Sequence, residues 1–234
     1  MEFFAVNGVK IAASVTGDPD ATPLVLLHGA GSDQSSWDAV APAFASTHRV
    51  YAVDLRGFGE SGRPGEYSFA AMRDDVLGLL DVIDAARGDA ARVDVIGHSM
   101  GGSVAWLIAQ AQPDRVAHLV IEDSPLPKPG LARMAAPTRP PVDPPFDWDA
   151  LAAIVAELND PDPRWWEQIA LISAQTLMLA GGASSHVPQH LFAEALALLR
   201  DGRVAEVPVG HHIHRDAPER FVAAVAPFLA RSSP

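Results

Sequence analysis

A serine lies between two glycines in Gly97-His98-Ser99-Met100-Gly101, directly after the apolar run Val93-Asp94-Val95-Ile96 and before the helix-compatible run 103–111. This is the G-x-S-x-G pattern in the context that gives it chemical meaning: strand, sharp turn, helix. Such a turn holds the serine in a strained backbone conformation and needs small residues two positions away on each side. It lifts Oγ clear of a sheet and puts it at a helix N-terminus, where developing negative charge is favoured. A serine hydroxyl is a weak nucleophile at neutral pH. It needs a general base, an acid that orients the base, and N–H donors for the oxyanion.

Near the C-terminus, Val209-Gly210-His211-His212-Ile213-His214 offers the base. His211 directly follows Gly210, which lets the loop approach the nucleophile closely, so His211 is the expected base. His212 is the alternative, and His214 is expected to pack or hydrogen-bond beside it. The donors are expected at His28-Gly29-Ala30-Gly31, which follows the apolar run Pro23-Leu24-Val25-Leu26-Leu27. A tight glycine turn there can aim the Ala30 N–H at the oxyanion. The second N–H is that of Met100, directly after the serine. His28 and His98 are expected to be structural side chains beneath this turn.

The elements that must position these groups follow from periodicity. Residues 3–6 and 9–15, joined by Asn7-Gly8, predict a β-hairpin. Apolar runs at 23–28, 49–54, 93–96, 116–121, 176–180 and 204–207 predict strands. Helical spacing predicts helices around 37–45 and over 69–86, 103–111, 189–199 and 218–230. Strand and helix alternate, which argues for an α/β fold with a doubly wound, mostly parallel sheet and the antiparallel N-terminal hairpin at one edge. Residues 125–164 interrupt the alternation with a proline-rich stretch followed by a helix over 148–158. They are expected to form a small cap or lid within a single domain of residues 1–234. Phe146, Trp148, Trp165 and Trp166 lie in or beside it, either lining an apolar pocket or anchoring the lid.

The chain resembles the α/β-hydrolase fold superfamily over essentially its full length. The resemblance is carried by His28-Gly29-Ala30-Gly31 with Trp37, by Asp54-Leu55-Arg56-Gly57-Phe58-Gly59-Glu60-Ser61, by Gly97-His98-Ser99-Met100-Gly101-Gly102, and by Gly210-His211 with His214. It implies that Ser99 is the nucleophile, His211 the base, and the Ala30 and Met100 amides the oxyanion hole. Relatives often carry an aspartate after the strand matching 176–180. This chain has Gly181-Gly182-Ala183-Ser184-Ser185-His186 there, without a carboxylate. Other relatives place the acid after the preceding strand, where this chain has Glu122-Asp123. Asp123 is therefore the expected acid and Glu122 the alternative. A serine at position 99 also separates the chain from dehalogenases and epoxide hydrolases of this fold, which use an aspartate there.

The implied function is that of a cofactor-independent serine hydrolase cleaving an ester or related acyl bond of a small molecule through a Ser99 acyl-enzyme. A carboxylesterase is the most economical class. Lactonases, C–C bond hydrolases and peptidases share the machinery, and a non-catalytic ligand-binding protein on the same fold is the rival. A net charge of -12 argues against nucleic acid and against anionic membrane surfaces. The absence of cysteine removes disulfides, thiolate metal sites and a Cys nucleophile. With neither a signal-like N-terminus nor a membrane-length apolar run, a cytoplasmic location is expected. Gly57-Phe58-Gly59-Glu60-Ser61-Gly62 matches G-x-G-x-x-G, yet no acid ends a following strand about 20 residues on, so no dinucleotide is expected. His212-Ile213-His214-Arg215-Asp216 lacks the final histidine of a metal motif, so no metal is expected.

Overall fold

The hairpin of β1 (Glu2–Val6) and β2 (Val9–Thr16) turns through Asn7 and Gly8, both at positive φ (50° and 78°). This is the twist-matched two-residue turn that Asn-Gly favours. The hairpin pairs antiparallel with β4 (His48–Asp54), and the rest of the sheet is parallel: β3 (Thr22–Leu27), β5 (Val93–His98), β6 (Val116–Glu122), β7 (Gln175–Ala180) and β8 (Gly202–Glu206). The spatial order is β1-β2-β4-β3-β5-β6-β7-β8. These features come from a computed structural model that describes residues 1–88, 90, 92–131 and 134–230.

The inner parallel strands are apolar along their length because both faces are covered. Val25, Leu27, Val95, Leu119 and Ile121 join one core, with α2 (Phe69–Arg87) and α3 (Met100–Ala111). Leu24, Leu26, Ile96 and Val120 point to the other core, against Trp37, Phe44 of α1 (Ala41–Phe44) and Phe221 of α8 (Pro218–Leu229). This period-two split is what a doubly wound sheet requires.

The helix expected around 37–45 is two short pieces, a 3₁₀ turn at Gln34–Trp37 and α1. Asp33 caps the first by accepting from Ser35 N–H, and Pro42 lies in the first turn of the second, where its missing N–H is harmless. The helix expected over 189–199 is α6 (His190–Leu196). It ends early as Leu198 N–H turns back to the Ala195 carbonyl at 3.0 Å.

The 125–164 excursion contains α4 (Trp148–Asn159) and ends at the first residue of α5 (Arg164–Glu167); residues 132 and 133 lie outside the described residues. Ala150 and Ile154 of α4 are buried in the core that holds α2 and α3. Polar contacts fasten the segment: Asp147 N–H donates to Gly57 O at 2.7 Å, Phe69 N–H to Glu157 Oε2 at 3.0 Å, and Gln110 Nε2 to Trp165 O at 2.7 Å. A short helix, α7 (Ile213–Asp216), follows β8 and carries His214.

Candidate active site

β3, β5, β6, β7 and β8 all run in the same direction, so the loops after them open at one edge of the sheet, the edge where open α/β sheets place their ligands. Ser99 stands there at φ 52°, ψ -119°, a conformation that L-residues rarely adopt. The glycines around it show why it can. A Cβ on Gly97 would sit 2.3 Å from the Gly101 carbonyl oxygen, and one on Gly101 would sit 2.3 Å from that of Leu27. Ser99 is held from both sides: its N–H donates to Glu122 O at 3.3 Å, and Ser124 Oγ donates to its carbonyl at 2.7 Å. The side chain is half-buried.

His211 lies on the loop after β8. Gly210, at φ 96°, donates its N–H to Gly181 O at 3.0 Å, which fastens that loop to the one after β7. His98, the residue before the serine, donates Nε2–H to the His211 carbonyl at 2.9 Å, and the two rings lie 4.7 Å apart. Burial lowers His98 to about 3, although the Glu122 carboxylate opposes the shift. His98 is thus a neutral strut tying the serine strand to the histidine loop.

The His211 Nδ1–H donates to Asp123 Oδ2 at 2.8 Å, which leaves Nε2 as the basic nitrogen. Asp123 leaves β6 at φ 44° and is fully buried. Its Oδ1 accepts from Gly181 N–H at 2.8 Å and from Gln189 Nε2 at 3.2 Å, while Ser185 Oγ donates to Oδ2. Burial alone would raise this carboxyl, but the donors from His211, Ser185, Gly181 and Gln189 outweigh it and hold Asp123 below the usual aspartate range.

The structure therefore separates the two acid candidates. Glu122 faces away from His211. Its carboxylate takes His214 Nδ1–H and the His214 backbone N–H, each at 2.8 Å, and His214 stacks on Trp37 with ring centroids 4.2 Å apart. Burial pushes Glu122 up, but His98, His214 and the hydrogen bonds from His214 bring it below the ordinary value. His212 is exposed, with its ring 5.1 Å from that of His211, and no contact joins it to Asp123.

The two oxyanion candidates lie on the loops that flank Ser99. The Met100 N–H is the first of α3, among the amides that a helix cannot pair internally. A Cβ on Gly29 would lie 3.3 Å from Ser99 Cβ, so the bare glycine lets the 28–31 loop pass against the serine. His28, buried beneath, donates Nδ1–H to Gly29 O at 2.8 Å and accepts Leu55 N–H on Nε2 at 3.1 Å. Both its nitrogens are committed to the loop, and burial lowers it below the ordinary histidine value.

The G-x-G-x-x-G stretch wraps a carboxylate of the chain itself. Asp54 accepts from Gln34 N–H at 2.7 Å and Glu60 N–H at 2.9 Å, and a Cβ on Gly59 would land 2.2 Å from its Oδ2. Among the described residues, no group of three or more His, Asp or Glu could hold a metal ion. Trp166 donates Nε1–H to Pro127 O at 3.0 Å, and Trp165 packs on Phe69 at 5.5 Å, so both anchor the excursion. Phe146 lies elsewhere: its ring is 3.6 Å from where a Gly31 Cβ would be, directly over the end of the 28–31 loop.

Sequence reasoning missed Ser185 and Gln189, although Ser184-Ser185 stands in the loop where relatives often carry the carboxylate. A polar pair in that position was the available signal.

An eight-stranded, mostly parallel sheet with a strained serine between β5 and α3 is the architecture of the alpha/beta hydrolases. The chain belongs to the alpha/beta hydrolase fold family, whose model matches residues 22–201. Among curated proteins it is 29% identical to the sn-1-specific diacylglycerol lipase ABHD11 of Mus musculus, over 92% of this chain and 83% of that one. It spans only about half of AB hydrolase superfamily protein YfhM of Bacillus subtilis, to which it is 30% identical over 60% of its own length (48% of that protein). A hydrolase from Pseudomonas aeruginosa PA01 superposes with TM-score 0.81 at 27% identity, covering 98% of both chains. The enol-lactonase from Burkholderia xenovorans LB400 shares the fold with TM-score 0.83 at 22% identity, over 98% of this chain and 100% of that one. No helix among the described residues is long and apolar enough to cross a membrane.

Proposed function

We propose that this protein is a serine hydrolase that cleaves an ester or related acyl bond of a small molecule, with a carboxylesterase as the class that asks least of the site. The observation that carries the reading is the 2.8 Å hydrogen bond between His211 and the buried Asp123, on a loop tied through His98 to the strained Ser99. In this reading Ser99 Oγ attacks the carbonyl carbon while His211 Nε2 takes its proton. The Ala30 and Met100 N–H groups hold the oxyanion, and His211 then protonates the leaving alcohol. Water, deprotonated by His211, releases the acyl group and restores Ser99. Asp123 stays ionised throughout and stabilises the imidazolium that forms.

The 125–164 excursion acts as a cap, with Phe146 as an apolar wall beside the oxyanion loop. The similarity to a diacylglycerol lipase supports ester chemistry. Covalent labelling by a fluorophosphonate probe tests the reading. Wild type is expected to label at Ser99, Ser99→Ala not at all, and His211→Ala far more slowly. A folded wild-type protein that takes no label would instead be a ligand-binding member of the fold. Turnover of p-nitrophenyl esters of rising acyl length, set beside lactones, then assigns the bond class.

A further inference from the structure

We propose that Ser185, locked in place with Gln189, is a positioning residue for the base: it fixes the Asp123 carboxylate toward His211 and tempers the strength of that contact by sharing the same oxygen. The inference rests on the reading of Ser99, Asp123 and His211 given above.

Asp123 Oδ2 receives two donors, His211 Nδ1–H at 2.8 Å and the Ser185 hydroxyl, while Oδ1 receives Gly181 N–H and Gln189 Nε2. A carboxylate offers about four lone-pair sites, so these four donors saturate it and leave it no second rotamer of comparable energy. The supporting side chains are themselves committed. Ser185 Oγ accepts Val187 N–H at 3.1 Å, which turns its own proton toward Asp123. Gln189 Oε1 accepts Gly182 N–H at 3.1 Å, and its Nε2 also donates to Val187 O at 2.9 Å, which fixes the orientation of the amide. The loop after β7, which lacks a carboxylate of its own, thus supplies donors to a carboxylate from β6.

The oxygen is shared, and that has a definite consequence. Each donor on Oδ2 stabilises the ionised carboxylate and so makes it a weaker acceptor for the bond from His211. Removing the Ser185 hydroxyl makes the carboxylate a stronger partner for the imidazolium while freeing it to rotate. The charged and titratable groups around the pair are His98 from β5, Glu122 from β6, His186 from the loop after β7 (its ring 4.3 Å from that of His211), and His212 and His214 from the loop after β8. A Ser185→Ala substitution keeps all of these groups but also removes the bond from Val187 N–H that holds the turn carrying His186, whereas Ser185→Thr keeps an acceptor for it.

The experiment compares wild type with Ser185→Ala and Ser185→Thr. The pH profile of kcat/KM on p-nitrophenyl acetate and the NMR titration of the His211 imidazole are recorded together. The expected result in Ser185→Ala is a fall of about tenfold in kcat/KM, because the freed carboxylate no longer holds the imidazole in one orientation. The acidic limb moves to higher pH by about half a pH unit, because the less-shared carboxylate favours the imidazolium. Ser185→Thr, which keeps the hydroxyl, restores both. An unchanged rate and midpoint in Ser185→Ala would overturn the proposal. So would a lower rate with an unmoved midpoint that Ser185→Thr fails to rescue, since that marks a loop that only supports folding. The NMR titration reads the Asp123–His211 contact without turnover, so it decides the proposal even if wild type takes no fluorophosphonate and the hydrolase reading fails.

Discussion

Asp123→Asn isolates the acid with little other change. Asn tolerates the left-handed backbone that Asp123 adopts at φ 44°, so the turn out of β6 survives. What is lost is the charge facing the imidazolium. With a hydrogen bond of 2.8 Å, the carboxylate and ring centres are roughly 4 Å apart, and two unit charges at that distance attract by about 4 kcal/mol at an effective dielectric constant near 20. That stabilisation arises only as His211 takes the proton, so its loss appears in the barrier. At about 1.4 kcal/mol per factor of ten, kcat/KM should fall by roughly 10³.

The amide adds a second penalty. Asn presents one acceptor where Asp presents two, while Gly181 N–H, Gln189 Nε2, Ser185 Oγ and His211 Nδ1 all approach as donors. At least one must lose its acceptor, and if it is His211, the imidazole is left in the wrong tautomer or free to turn. The assay is kcat/KM on p-nitrophenyl acetate at pH 8, with the rate of fluorophosphonate labelling as a second measure and circular dichroism to confirm folding. A folded Asp123→Asn variant that retains more than about one tenth of wild-type kcat/KM would refute the assignment, because it would put the loss well below the electrostatic term alone.

Glu122→Gln should behave differently: unpairing a fully buried contact with His214 costs about 3 kcal/mol and lowers Tm by roughly 6–12 °C in a calorimeter, while kcat/KM of the folded fraction stays within about tenfold of wild type. Gly97→Ala forces a Cβ to 2.3 Å from the Gly101 carbonyl, and denaturant titration should show a loss of about 2–3 kcal/mol. Phe146→Ala removes the ring over Gly31, so the ratio of octanoyl to acetyl ester turnover should rise about tenfold, with an unchanged ratio arguing that the ring does not wall the acyl site. Asp94 is buried between His48 Nε2 at 3.1 Å and His118 Nδ1 at 2.8 Å; burial would raise its carboxyl, but the hydrogen bonds from His118 and His48 hold it below the usual value. A depressed carboxyl stabilises the fold above its unfolded value and loses that contribution as pH falls through the folded one. Urea denaturation should therefore show Asp94→Asn less stable than wild type by about 3 kcal/mol near pH 7, with the gap closing below about pH 4.

Sequence and structure agree most closely where a local rule dictates geometry. Asn7-Gly8 specifies its turn, the apolar runs specify buried strands, and the glycines around Ser99 specify a backbone that no side chain at 97 or 101 would permit. Helix ends were less legible, because they depend on competition between bonds a few residues apart. Pro42 splits what spacing alone reads as one helix near 37–45, and α6 unwinds after Leu196.

The base illustrates a harder limit. Three histidines within four residues are nearly equivalent as sequence, and neighbours far along the chain decide between them: His211 meets Asp123 and His98, His214 meets Glu122 and Trp37, and His212 faces solvent. Glu122 and Asp123 are separated in the same way. They are consecutive, but the left-handed turn at Asp123 sends its carboxylate toward the β7 loop, while the last residue of β6 points under the sheet edge to His214. One change of backbone sign thus sends two adjacent carboxylates to different histidines, Asp123 to His211 and Glu122 to His214. The β7 loop carries no carboxylate of its own, and a carboxylate there would repel Asp123 where the Ser185 hydroxyl and Gln189 amide now hold it.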